Sequence, residues 1–142
     1  MKREAHVMGV QVQLIDHLIG IERDVIRGHK IYSLWDAYPH ADLVTYPSLY
    51  EGFGNALLET IYFKKLTVVN RYPVYNADIR PLGFEFIELD GFVDDHAVEQ
   101  ALSLLKDPEA VKSMVEKNYA IAQEHFSLEV LEMKLKEVLS NF

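Results

Sequence analysis

One short stretch constrains the fold of this chain more than any other. It is an apolar run, Leu43–Tyr46, that ends at Pro47 and is followed by a glycine-rich turn and a helical pattern within Glu51–Glu59. The β-branched and aromatic residues of the apolar run are typical of a strand. A strand, a glycine turn and a helix N-terminus in this order gather backbone N–H groups around a concave site suited to phosphate. The stretch predicts an α/β fold with a ligand site at the end of a strand.

The rest of the sequence alternates predicted strands and helices. Its periodicity predicts strands over 10–15, 41–46, 66–69 and 84–89, a loop over 16–30, and helices over 32–40, 55–64 and after residue 94. Strands that alternate with helices pair in parallel through right-handed crossovers. We therefore expect an α/β fold with a Rossmann-like parallel sheet of about four strands and flanking helices.

The pattern from residue 94 onward predicts three helices. Asp94 or Asp95, Asp107 and Ser127 are the expected N-caps, and Pro108 suits the first helical position. The expected apolar face of the first helix consists of Val98, Ala101, Leu102 and Leu105. That of the last helix consists of Leu128, Leu131, Leu135, Val138 and Leu139. Helical spacing of this kind predicts that both faces pack against the core.

Composition excludes several classes of protein. The net charge of −8, without a stripe of Lys and Arg, argues against a nucleic-acid partner. No apolar run approaches the roughly 20 residues that span a bilayer, and the N-terminus lacks the apolar region of a signal peptide. The absence of cysteine suits a reducing compartment, and we expect a cytoplasmic protein. None of the six histidines has the helical spacing that marks a zinc site, so we expect no metal.

Of the two carboxylates that could bind a ligand, Glu59 is the stronger candidate. Its helix is apolar nearly all round, which predicts burial, and no Lys or Arg stands three or four residues ahead, where Tyr62 and Phe63 lie. A buried carboxylate is costly unless it accepts hydrogen bonds. Hydroxyl groups of a ligand near the helix start would supply them. The alternative is that Glu59 points to water, or only favours the positive end of its helix.

Glu51 and the glycine turn are weak signals one by one. Glu51 suits a solvated turn, and Gly52 and Gly54 are ordinary turn formers. Phe53 would fill the core between the glycines, and Asn55 would serve as a helix N-cap. Their combination after a buried strand is more specific, because α/β sheets bind ligands at the C-terminal ends of their strands. We therefore predict a nucleotide or nucleotide-sugar site here.

The same residues carry a family resemblance. Residues 41–54, followed by Glu59, closely resemble the donor-binding signature of the family-four retaining glycosyltransferases, which have the two-domain GT-B fold. Two glutamates separated by seven residues and a glycine turn carry the likeness. The later strands, the helix start at Asp107 and the segment His125–Ser127 agree with it, so the resemblance covers residues 9–139.

The resemblance implies a role for each residue of the stretch. Glu59 would hold the ribose hydroxyls of a nucleoside-diphosphate sugar, and Glu51 would lie beside the donor sugar as the catalytic residue. The backbone N–H groups that face the sugar and the diphosphate would be those of Gly52, Phe53, Gly54 and Asn55. Such groups and the helix dipole stabilise charge on a leaving phosphate. The family requires neither a metal nor a cofactor, and the donor is the ligand.

The chain departs from the family pattern in two ways. The family carries a glycine pair where this sequence has Asn70–Tyr75, and we interpret Tyr72 and Tyr75 there as packing residues rather than a base-stacking platform. Family members are also far longer, with an N-terminal acceptor domain and an Arg/Lys pair for the diphosphate. We therefore interpret 1–142 as a single partial domain, the nucleotide-sugar-binding half, with a C-terminal helical region over 94–142.

The expected function is the donor-binding portion of a retaining glycosyltransferase that moves a sugar from a nucleoside-diphosphate sugar to a hydroxyl acceptor. We expect the chain to be inactive alone, because catalysis requires both reactants to be held in place. The alternative is a non-catalytic nucleotide-binding or oligomerisation module, or one half of a split enzyme. A partial domain leaves a sheet edge and apolar surface bare, which predicts a homodimer or association with the missing N-terminal half.

Overall fold

A computed structural model describes residues 2–141, with side chains from residue 4 onward. Contacts divide the chain into two units, one ending at His40 and the other beginning at Ala41. Among the helices of the described residues, none is long and apolar enough to cross a membrane.

The first unit contains a small mixed sheet. Its helices and strands are α1 (Lys2–Val7), β1 (Ile19–Gly20), β2 (Asp24–Ile26), β3 (His29–Ser33) and α2 (Leu34–Ala37), with 3₁₀ turns at Asp16–Leu18 and Tyr38–His40. Strand β3 lies in the centre, parallel to β1 and antiparallel to β2. The β2–β3 hairpin turns at Arg27 and Gly28, both of which have positive φ. Two positive φ angles match the twist of the flanking strands in a two-residue hairpin.

The first unit corrects three expectations. The predicted strand over 10–15 is not formed, because no neighbouring strand pairs with it. The predicted loop over 16–30 instead contains β1, β2 and the start of β3. The predicted helix over 32–40 begins only at Leu34, because the carboxylate of Asp36 accepts hydrogen bonds from the backbone N–H of Ser33 at 3.0 Å and from its hydroxyl at 3.1 Å. Hydrogen bonding between the residue before a helix and the third helical residue fixes the helix start.

The second unit contains a parallel sheet with the strand order β4–β5–β6. Its strands are β4 (Leu43–Tyr46), β5 (Leu66–Asn70) and β6 (Ile87–Leu89), and its α-helices are α3 (Asn55–Tyr62), α4 (Asp95–Leu104), α5 (Pro108–Phe126) and α6 (Leu128–Ser140). A π-helical turn (Tyr75–Ile79) and a 3₁₀ turn (Arg80–Leu82) join β5 to β6. The α/β class and the parallel sheet are confirmed. The described residues contribute three strands to that sheet, not four, since the predicted strand over 10–15 is missing.

The core of the second unit lies on both faces of β5, the central strand, which is buried along its whole length. On one face Val69 packs with Leu57 and Ile61 of α3 and with an aromatic group that follows β5. That aromatic group is Tyr72, Tyr75, Phe84 and Phe86. On the other face Val68 packs with β6 and with Ala97 of α4. The sheet is therefore a rigid base for the loops at its C-terminal edge.

The predicted helix starts at Asp94, Asp107 and Ser127 are confirmed. The carboxylates of Asp94 and Asp107 accept hydrogen bonds from backbone N–H groups three residues ahead, at 2.8 and 3.0 Å. The hydroxyl of Ser127 accepts one from Val130 at 3.4 Å. Caps are local features, which is why sequence reasoning locates them well.

The predicted apolar faces are wrong in detail. In α4 the residues that pack on the core are Ala97, Ala101 and Leu104, whereas Val98 and Leu102 are exposed. In α6, between Leu128 and Ser140, no residue is buried, and the predicted core-facing leucines lie at the surface. The homodimer and the association with a missing N-terminal half stay predictions.

Candidate ligand site at the ends of the parallel strands

The glycine turn after β4 is built around Gly54. Its φ of 97° and ψ of 60° lie in the left-handed region, which glycine adopts without a steric cost. Gly54 is the N-cap of α3, and its carbonyl accepts hydrogen bonds from the N–H groups of Leu57 at 2.9 Å and Leu58 at 3.3 Å. Asn55 is the exposed first residue of the helix, so the prediction that Asn55 caps it is wrong. The turn needs left-handed backbone at the cap, and glycine supplies it.

Tyr72 holds this turn from the inside. Its side chain is fully buried, and its hydroxyl donates a hydrogen bond to the carbonyl oxygen of Phe53 at 3.0 Å. A Cβ added to Gly54 would lie 2.5 Å from the Tyr72 hydroxyl oxygen and 3.4 Å from that of Tyr46. The backbone of the turn therefore approaches the Tyr72 hydroxyl too closely for a side chain at position 54, whereas the distance to Tyr46 is an ordinary contact.

Tyr46, the last residue of β4, links the strand to the first predicted glutamate. Its hydroxyl interacts with the carboxylate of Glu51 and with the side chain of Ser48. The rings of Tyr46 and Tyr72 meet edge to face, with centroids 6.2 Å apart. Glu51 is partly buried. The end of the strand therefore places a hydroxyl group beside Glu51.

The two tyrosines have perturbed ionisation. Burial, and then the hydrogen bond to Glu51, raise the pKa of Tyr46 to about 12. Burial, and then electrostatic repulsion from Tyr46, once that residue is ionised, and from Glu51, raise the pKa of Tyr72 to about 12. Both hydroxyls therefore stay protonated, and remain hydrogen-bond donors, at neutral pH.

Alkaline titration checks this arrangement. An ordinary tyrosine ionises at a pKa near 10, so we expect Tyr46 and Tyr72 to ionise late in an absorbance titration at 295 nm. Because their pKa values are raised in the folded state, the stability that they contribute is complete below about pH 10 and is lost as the pH rises through about 12. The Tyr72→Phe variant should lose one late tyrosine. Ionisation of all eight tyrosines near pH 10 in protein that is still folded by circular dichroism would contradict the arrangement.

Asn70 joins the three strand ends. It is the last residue of β5 and is 4% exposed. Its side-chain amide donates a hydrogen bond to the carbonyl of Ser48, after β4, at 3.1 Å and accepts one from the N–H of Gly91, after β6, at 2.7 Å. The stretch predicted to depart from the family pattern is therefore an ordered part of this edge. Sequence reasoning missed Asn70, although its place directly after a buried strand was a usable signal.

A second polar cluster fixes the π-helical turn to β6. The carboxylate of Glu88 accepts hydrogen bonds from the hydroxyl of Tyr75 at 2.7 Å, from Arg71 Nε at 2.9 Å and from Arg80 Nε at 3.1 Å. Burial alone would raise the pKa of Glu88, but the hydrogen bond from Tyr75 and the interactions with Arg80 and Arg71 outweigh it and lower the pKa. Tyr72 and Tyr75 are both fully buried, which confirms their interpretation as packing residues.

The remaining predicted site residues surround the turn. Phe53 is 36% exposed and packs edge to face on Phe126 of α5, with ring centroids 5.2 Å apart. Gly52 is exposed, with no atom within 4 Å of where a Cβ would stand. Glu59, the fifth residue of α3, is partly exposed, so the predicted burial is only partial. Among the side chains described, no three His, Asp or Glu residues form a group that could hold a metal.

Comparisons with known proteins bear on the same region. A family model described as "Glycosyl transferases group 1" matches residues 11–121. The chain is 41% identical over 136 residues to a mannosylglucosylglycerate synthase from Thermotoga maritima, and the match covers 86% of this chain and 31% of the relative. It is 55% identical over 60 residues to a mannosylglucosylglycerate synthase from Petrotoga mobilis, covering 42% of this chain and 14% of the relative. The chain thus spans less than a third of either relative's length. No solved structure gives a significant match.

Proposed function

Because this chain belongs to the group 1 glycosyl transferases, we propose that it forms the donor-binding portion of a retaining glycosyltransferase. The parent enzyme would move a sugar from a nucleoside-diphosphate sugar to a hydroxyl acceptor. One observation supports the proposal above all: the left-handed turn at Gly54, which starts α3 at the C-terminal end of β4 with Glu51 on one side and Glu59 on the other. This is the place in an α/β sheet where ligands bind.

The chemistry of the turn suits a nucleotide sugar. The first N–H groups of a helix have no acceptor within the helix, and the dipole adds positive charge there. The N–H groups proposed to face the donor sugar and the diphosphate are those of Gly52, Phe53, Gly54 and Asn55. Charge that grows on the leaving diphosphate would be stabilised by these fixed donors, which need no rearrangement during the reaction.

The two carboxylates would bind hydroxyl groups. Glu59, one turn into α3, would hold the ribose hydroxyls, and its partial exposure leaves it accessible to them. Glu51 would lie beside the donor sugar, near the reacting centre, with its carboxylate oriented by the Tyr46 hydroxyl. Carboxylate oxygens are strong acceptors for hydroxyl donors.

The relatives suggest which donor to test first. Both are named for the synthesis of mannosylglucosylglycerate, so we take a mannosyl nucleotide as the first donor and a glycerate-containing acceptor as the first acceptor. We expect no turnover by the chain alone, since transfer requires both substrates to be held together. The cytoplasmic location, and a homodimer or a missing N-terminal half as partner, also remain predictions.

Calorimetric titration with UDP, GDP and ADP sugars tests donor binding. We expect at least one of them to bind the chain more tightly than millimolar. Binding of none at that level would refute donor recognition by this chain. Binding without transfer, even when the rest of the protein is supplied, would favour the alternative of a non-catalytic nucleotide-binding module.

The Glu59→Gln variant tests the ribose contact. A hydrogen bond to a charged group contributes about 1.5–3 kcal/mol, so we expect the affinity for the nucleotide sugar to fall at least about tenfold. The shape of the side chain is kept, and circular dichroism with urea denaturation checks that the variant is folded under the conditions of the titration. Glu99→Gln, at an exposed position of α4, is the matched control and should leave binding unchanged. Equal affinity in wild type and Glu59→Gln would remove Glu59 from the site.

A further inference from the structure

We propose that Tyr72 and Tyr46 are positioning residues of the donor site: Tyr72 orients the peptide between Phe53 and Gly54, and Tyr46 orients the carboxylate of Glu51. The inference rests on the proposed function and names residues beyond those that the sequence and the family resemblance assign. Both tyrosines act through the turn and not on the donor itself.

The argument for Tyr72 starts from the planarity of the peptide bond. The carbonyl of Phe53 and the N–H of Gly54 belong to one rigid plane and point in opposite directions in a trans peptide. The described chain has no cis peptide bonds. The Tyr72 hydroxyl holds the Phe53 carbonyl at 3.0 Å, inside the protein, so the N–H of Gly54 must point away from Tyr72. This is the direction that a donor-binding N–H needs.

The environment of Tyr72 makes this contact rigid. The side chain is fully buried among Tyr46, Tyr75 and the residues of α3, so the hydroxyl has little freedom to leave the carbonyl. Tyr72 lies in the segment after β5 that departs from the glycine pair of the family pattern. In this chain, a buried tyrosine from that segment supports the glycine turn of the preceding strand.

The argument for Tyr46 rests on the position of its hydroxyl. The hydroxyl oxygen lies 3.4 Å from where a Cβ of Gly54 would stand, and the ring meets Tyr72 edge to face. Tyr46 therefore packs against the turn that carries Glu51, and its hydroxyl interacts with that carboxylate. Because Tyr46 ends β4, its ring is anchored by the sheet. A carboxylate held from one side in this way presents its other oxygen lone pairs in a fixed direction, which favours binding of a sugar hydroxyl.

Phenylalanine variants separate positioning from packing, because each keeps the ring and removes one hydroxyl. For Tyr72→Phe we expect the affinities for GDP-mannose and for GDP both to fall about tenfold. If a UDP or ADP sugar binds the wild type better, that sugar and its nucleoside diphosphate are used instead. We also expect a shifted NMR signal at the Gly54 amide. For Tyr46→Phe we expect weaker binding of the nucleotide sugar but unchanged binding of the nucleoside diphosphate, since Glu51 lies beside the sugar.

Tyr75→Phe is the matched control. Tyr75 is as buried as Tyr72 and also donates a hydrogen bond, but to Glu88. Its loss should lower stability at least as much, because Glu88 is charged, and should leave nucleotide affinity within about twofold of wild type. Tyr46 is only partly buried, so its variant supplies a folded test even if Tyr72→Phe does not fold.

The outcomes distinguish this inference from the function on which it rests. If the wild-type chain binds none of the nucleotide sugars, the proposed function fails and the positioning role fails with it. If the wild type binds and both phenylalanine variants bind equally well, only the positioning role is overturned. The same holds if Tyr75→Phe weakens binding as much as Tyr72→Phe does, since loss of packing would then explain both.

Discussion

Replacing Gly54 with alanine is expected to lower the free energy of unfolding by about 3 kcal/mol. Two costs add at this position. A φ of 97° is unfavourable for any residue with a Cβ, and that Cβ would stand 2.5 Å from the Tyr72 hydroxyl oxygen. Tyr72 is fully buried and bonded to Phe53, so it has no room to move aside. Urea denaturation of wild type and variant measures the loss, and calorimetry should show weaker nucleotide binding as the turn distorts.

The control for this change lies two residues away. Gly52 belongs to the same turn, but it does not have a positive φ, and a Cβ there would meet nothing within 4 Å. We expect Gly52→Ala to change the free energy of unfolding by less than about 0.5 kcal/mol. Similar losses in the two variants would mean that general stiffening of the turn, and not the contact with Tyr72, determines the result.

Replacing Asn70 with alanine is expected to cost about 3 kcal/mol of stability, because each buried group left without a hydrogen bond costs about 1–3 kcal/mol. The variant removes the partner of the Ser48 carbonyl and that of the Gly91 N–H at once. Thermal and urea denaturation measure the loss, and faster hydrogen exchange at the Gly91 amide would locate it.

Two further variants make the Asn70 result specific. Asn76→Ala removes an exposed asparagine that donates a single bond to the carbonyl of Arg71, and it should cost less than about 1 kcal/mol. Asn70→Asp keeps the acceptor for Gly91 but places a carboxylate oxygen against the Ser48 carbonyl, so we expect most of the loss to remain. Wild-type stability in Asn70→Asp would show that the bond to Ser48 contributes little.

The sequence predicts the second unit well because its signals are local. The apolar run of β4, the β-branched run of β5 and the capping residues Asp94, Asp107 and Ser127 each define an element within a few neighbours. Strands and helices in alternation then leave little choice of topology. The family resemblance rests on the same local stretch, and the family match over residues 11–121 confirms it.

The parts that the sequence predicts poorly depend on partners elsewhere in the chain. Residues 10–15 alternate like a strand, but alternation alone does not supply a neighbouring strand. The hairpin at Arg27 and Gly28 was missed because arginine with a positive φ has no sequence signature. In α4 two apolar stripes lie side by side, and the stripe with the small Ala97 and Ala101 packs on the sheet.

The candidate site also combines local features with contacts between distant residues. The turn and its two glutamates lie within nine consecutive residues, so the sequence alone predicts them. Tyr72 and Asn70 act on residues 19 to 22 positions away, and no pattern within a short window contains that relation. Sequence reasoning therefore identified the residues proposed to touch a ligand and missed those that support them.

The two hydrogen bonds of Asn70 have a mechanical consequence. They join the loop after β4 and the loop after β6 to the end of the central strand. A displacement of one loop is therefore coupled to the other through Asn70. A ligand that presses on the loop at Ser48 would transmit the displacement to Gly91. The surface offered to a ligand by any one of these loops is therefore set in part by the other two.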